Sequence, residues 1–89
     1  MKLNPIAANQ TEVEMGDYTV LFSYQTPVAY HKQGAGYFRT DRSYSKTTTR
    51  HVNSWLGSNG ATAATQQAEA FTAELESIGI EQSHRQATA

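Results

Sequence analysis

Tyr18-Thr19-Val20-Leu21-Phe22-Ser23-Tyr24 is the stretch on which the reading of this chain turns. Tyr18, Val20, Phe22 and Tyr24 fall at every second position, with Thr19, Leu21 and Ser23 between them. That period of two is the mark of a β-strand. Upstream, Thr11, Val13 and Met15 alternate with Glu12 and Glu14, which predicts a half-buried neighbour, and Gly16-Asp17 supplies a tight turn between the two runs. Downstream, Gln25-Thr26-Pro27 breaks the pattern, because proline has no N–H for a ladder and biases the residue before it to an extended shape. Val28-Ala29-Tyr30-His31 resumes it. Gln33-Gly34-Ala35-Gly36 reads as a hairpin loop, and Tyr37-Phe38-Arg39-Thr40 as the return strand. The expectation is an antiparallel meander of three or four strands.

At Lys46 the period changes. Thr47-Thr48-Thr49 offers N-cap residues, and Val52, Trp55 and Leu56 take helical spacing before Gly57-Ser58-Asn59-Gly60 closes the element. A longer amphipathic helix is predicted over 62–77, with Ala64, Ala68, Phe71, Leu75 and Ile78 as its stripe and Gly79-Ile80 as its C-terminal stop. Residues 1–9 show no period and read as an N-terminal arm. Residues 10–80 form one domain, and 81–89 a polar, flexible tail. An α+β domain follows, with both helices laid across one face of the meander, since neither layer can bury its apolar stripe alone.

Eighty-nine residues suffice for one domain only. The absence of cysteine excludes disulfides and thiolate metal sites, and no apolar run approaches the ~20 residues of a membrane span. The N-terminus lacks the apolar core of a signal peptide, which points to an intracellular protein. Net charge is −1, but its distribution is uneven. Residues 1–29 sum to −2 and 57–89 to −3, while 30–56 carry Lys32, Arg39, Arg42, Lys46 and Arg50 against Asp41, for +4. A basic middle between acidic ends is a candidate anion-binding patch.

The densest polar constellation is Arg39, Arg42, Lys46, Thr47, Thr48, Thr49, Arg50 and His51, with Asn53 one position beyond Val52. A helix N-terminus has unpaired N–H groups and a positive dipole end, and Arg, Lys and Thr add donors suited to phosphate. On a helix, Lys46, Arg50 and Asn53 share an outward side, while Thr47, His51 and Trp55 form a separate stripe. The same residues also fit ordinary capping and a solvated cationic surface. His51 with Thr47 or Thr48 has the elements of a nucleophile–base pair, but Asp41 is the nearest carboxylate in sequence and no oxyanion site is evident. A structural histidine bonded to a threonine hydroxyl or a carbonyl is the better reading, and no catalytic residue is assigned. His31, His51 and His84 stand singly, without metal-ligand spacing, and Gly34-Ala35-Gly36 is not a nucleotide-binding loop, so neither metal nor cofactor is expected. Of the strand aromatics, most are core; Tyr30 and Tyr37, with Arg39 on the return strand, are the ones whose exposure would suit stacking on unpaired bases.

Two stretches carry a family likeness: Leu21-Phe22-Ser23-Tyr24-Gln25-Thr26-Pro27-Val28-Ala29, and Tyr44 through Leu56 with Thr47, Thr48, His51, Asn53 and Trp55 in fixed spacing. Together they resemble a family of small tailed-bacteriophage proteins of unknown function that pairs an LFSYxTPVA strand with a TTxxHxNxWL helix. The likeness covers about residues 3–56. It implies a viral protein made in the cytoplasm of an infected bacterium, and it supplies no reaction. The resulting expectation is a non-enzymatic accessory protein that binds a macromolecule, with nucleic acid slightly favoured through segment 39–51. The alternatives are a protein-binding module, such as an inhibitor or adaptor of a host or defence protein, and a structural protein. A homodimer through the second helix or a free sheet edge also fits.

Overall fold

The computed structural model describes residues 2–80. Six strands form one sheet in chain order: β1 (Lys2–Ala7), β2 (Gln10–Met15), β3 (Tyr18–Ser23), β4 (Thr26–Lys32), β5 (Gly36–Thr40) and β6 (Ala63–Gln66). The first five pair antiparallel, and β6 joins β5 in parallel. A parallel neighbour needs a crossover, and α1 (Lys46–Ser58) provides it. Helix α2 (Ala68–Ser77) follows β6.

This α+β fold is larger in its sheet than the expected meander of three or four strands. The stretch expected to be an arm forms β1, pairing Leu3 with Val13 and Asn4 with Glu12. It is an outer strand with Pro5 at its middle, where a missing N–H is tolerated, and its register shifts between Pro5 and Ala7. The single helix expected over 62–77 divides instead. Alanine tolerates both states, so Ala63–Gln66 pairs with β5, and the helix begins only at Ala68. The tail 81–89, with His84, lies outside the described residues.

The helices do not share a face. Successive β3 residues point to opposite sides. Tyr18 and Val20 join Tyr30, Phe71, Leu75 and Ile80 in a core under α2. Leu21 joins Val28, Ala29, Val52, Trp55 and Leu56 in a core under α1. A register shift explains why Val28 and Ala29 enter the same core: Leu21 pairs with Ala29 but Phe22 with Pro27, leaving Val28 as the extra residue. The central strands are thus covered on both sides, and Val20, Leu21, Ala29 and Tyr30 are all sealed from solvent.

Local chemistry fixes the helix ends. Ser45 rather than Thr47–Thr49 caps α1, its Oγ accepting from the Thr48 N–H at 3.2 Å. The end of α2 has the two bonds of a Schellman motif, Ile80 N–H to the Leu75 carbonyl and Gly79 N–H to that of Glu76, both at 3.0 Å. Gly79 takes the left-handed conformation this requires, at φ 97°. On the α2 side, Tyr18 Oη donates to the Glu74 carboxylate, and Lys32 Nζ lies 3.6 Å from Glu74. The bond to Glu74 holds the Tyr18 hydroxyl in its neutral form and raises its pKa, with burial adding to the effect. Among the described residues no helix is long and apolar enough to cross a membrane.

Candidate functional site

The strand-to-helix turn between β5 and α1 places the basic segment. At its start, Asp41 N–H donates to the Gln66 carbonyl at 2.8 Å, joining the ends of the two parallel strands. The Asp41 carboxylate accepts from the Ala68 N–H, also at 2.8 Å, and so occupies the first turn of α2. The one acid of the basic segment is thereby turned to a capping task and does not orient His51. The Arg42 N–H donates to Thr40 Oγ1 at 3.1 Å, which fixes the bend.

Between this turn and α1 lies an open pocket of about 220 Å³, lined by Arg39, Thr40, Asp41, Arg42, Ser43, Tyr44, Thr48 and Thr49 among others. It sits beyond the carboxyl end of β5, the usual ligand position in sheets whose parallel strands are joined by a helix. The first turn of the 13-residue α1 contains no acidic residue. Arg39 is half-buried, and its Nη1 donates to Asn53 Oδ1 at 3.1 Å, so this guanidinium is held between strand and helix.

The residues singled out from sequence therefore separate into three groups. Arg39, Arg42, Thr48 and Thr49 line the pocket. Lys46, Thr47 and Arg50 are exposed on α1 and lie outside it. His51 and Asn53 serve attachment: Asn53 to Arg39, and His51 to the sheet.

That last attachment runs through a residue the sequence reading did not single out. Ser23, at the end of β3, is 2% exposed, and its Oγ lies 2.8 Å from His51 Nδ1 and 3.0 Å from Thr48 Oγ1. Ser45 Oγ donates to Thr48 Oγ1 at 3.3 Å. Hydroxyl hydrogens can run in one direction along this chain, from Ser45 to Thr48 to Ser23 to His51, each donating once. Ser23 and His51 have the residue types of a nucleophile and its base. Here the serine is buried beneath the helix, and the contact holds α1 against β3. The signal for it was available: Ser23 lies in one distinctive stretch and Thr48 and His51 in the other, and the fold brings the two together.

Tyr24, next along the chain, is 53% exposed and its ring lies 5.9 Å from that of His51, tilted by 40°. Its backbone has φ 59°, a left-handed value that costs a side chain with a Cβ about 1–2 kcal/mol. Its N–H donates to the Asn9 carbonyl at 2.7 Å. Tyr30, one of the residues whose exposure would suit base stacking, is core: it is 1% exposed, and its hydroxyl donates to Gln66 Oε1 at 2.9 Å. Burial pushes its pKa up to about 12. Tyr37 is half-buried, its ring packed on His31 at 4.5 Å and edge-on to Trp55 at 5.4 Å. Trp55 in turn donates from Nε1 to Glu12 Oε2 at 2.6 Å. Among the described residues, no group of three or more His, Cys, Asp or Glu gathers where a metal could be held.

No curated protein and no solved structure matches the chain. A family model does match, over residues 1–71, a span that includes all six strands, α1 and both stretches that meet at Ser23. The chain belongs to that family, described as a family of unknown function (DUF8033).

Proposed function

We propose that this chain is a non-enzymatic phage accessory protein that binds nucleic acid through residues 39–51, in the cytoplasm of an infected bacterium. The observation that carries this reading is the pocket at the start of α1 with Arg39 and Arg42 in its wall. Phosphate suits such a place, because guanidinium donors and helix N–H groups act together there. Two features add to it. Asp41, the acid within the segment, also lines the pocket, but its carboxylate is engaged by the Ala68 N–H of α2 and the two arginines outnumber it there. Lys46 and Arg50 extend the positive surface along the exposed side of α1, in line for neighbouring phosphates.

The test is fluorescence anisotropy with labelled single- and double-stranded DNA and RNA, from low to physiological salt. Binding should weaken linearly in log K against log salt, with a slope of about 0.7 per phosphate contact for single strands. The double substitution Arg42→Glu/Arg50→Glu changes two exposed side chains and should abolish binding while leaving the circular dichroism spectrum intact. Retained binding in that variant would sink the reading.

A protein-binding module is the second reading, and one observation favours it. Outer strand β1 presents Leu3 at 61% and Ile6 at 43% exposure, apolar side chains beside a strand edge that is unpaired among the described residues. A host protein that co-purifies in stoichiometric amount, and is lost on Leu3→Asp, would support it.

A further inference from the structure

Two hairpins in this sheet have two-residue loops with the same backbone pattern. In the β2–β3 loop, Gly16 has φ 58°; in the β3–β4 loop, Tyr24 has φ 59°. The second loop residue, Asp17 or Gln25, has no positive φ in either case. A positive φ at the first position alone is where such hairpins place glycine, as the first loop does. A bulky residue there is an outlier. Burial does not explain it, since half of the Tyr24 side chain faces solvent.

What the conformation achieves is placement. The ring leans on His51, the backbone is pinned to Asn9, and one side of the tyrosine stays open to solvent. The location is equally specific. Ser23, the preceding residue, touches Thr48, and Thr48 lines the arginine pocket. Ring and pocket thus flank the same first turns of α1.

We propose that Tyr24, backed by His51, is a stacking platform for an unpaired base of a single-stranded nucleic acid whose phosphate lies at the Arg39 and Arg42 pocket. This rests on the nucleic-acid reading above and deepens it from phosphate contact to strand type. A base in a duplex has both faces covered, so only an unpaired one can use the platform.

The experiment compares Tyr24→Gly and Tyr24→Phe with the wild-type chain, using a labelled single-stranded oligonucleotide and a duplex of equal length. Glycine relieves the backbone at this position, so Tyr24→Gly should melt no lower than the wild type. It should bind the single strand roughly 5- to 150-fold more weakly, the size of one base–aromatic stack, with its salt slope unchanged. Tyr24→Phe should bind as the wild type does, and duplex affinity should be the same in all three. If Tyr24→Gly holds the single strand as tightly as the wild type, the platform is overturned while the phosphate reading stands. If the wild type binds no nucleic acid at low salt, both are overturned and protein partners become the better account.

Discussion

Ser23 shows how much one small side chain can hold. Its hydroxyl is the meeting point of Thr48 and His51, and it is buried. Removing it leaves two polar groups on α1 without their strand partner, which is costlier than the net worth of a hydrogen bond. Ser23→Ala should therefore destabilise the domain by about 1–3 kcal/mol, measured by urea unfolding. A change under roughly 0.5 kcal/mol, typical of a surface position, would show that the hydroxyl chain contributes little. Residue-scale signals in the sequence were good where a residue's neighbours are local. Lys46 and Arg50 face outward, and Gly79 with Ile80 closes α2, as spacing predicted. Ser23 was missed because its partners are 25 and 28 positions away. Whether Tyr30 is core or exposed was left open for a related reason, since alternation assigns a face to a residue without saying what covers that face.

Among the elements, β3 and β4 are covered by helices on both faces, whereas β1 has one strand neighbour and mostly exposed side chains. Protection against amide exchange should follow that order. Hydrogen-exchange measurements should find the amides of Val20, Leu21 and Tyr30 slowest and those of β1 fastest. Equal protection in β1 would mean that something else covers that edge. The strands were legible where side chains alternate between core and solvent. Two elements escaped. In β1, asparagine, proline and a register shift at Ile6 erase the period. In β6, Ala63-Ala64-Thr65-Gln66 has no apolar contrast between its faces, and its strand state follows from pairing with β5 rather than from its own composition.

At the scale of the molecule, two cores share one sheet. The central strands supply side chains to both, so loosening either face removes support from the other. Leu75 of α2, fully buried, lies across the sheet from Trp55 of α1. Leu75→Ala should cost about 2–5 kcal/mol. Trp55 fluorescence and far-ultraviolet circular dichroism should still report the same denaturation midpoint, as for one cooperative unit. Separate midpoints would mean that the two faces unfold independently. The two-sided cover was itself half-visible in the sequence. Val20-Leu21-Phe22 and Val28-Ala29-Tyr30 are nearly continuous apolar runs, the composition of strands buried on both faces. Reading them by period alone put both helices on one side.

The outer strand has a consequence at high concentration. An open sheet whose edge offers a full row of donors and acceptors is a template on which copies can add without limit, growing into fibres. In β1 that row is interrupted twice in succession, by a proline that cannot donate and by the extra residue at Ile6. At the opposite margin, β6 is only four residues long, too short to template much of a partner. At high concentration the sheet thus has an edge that ends growth, even though Leu3 and Ile6 beside it remain in water.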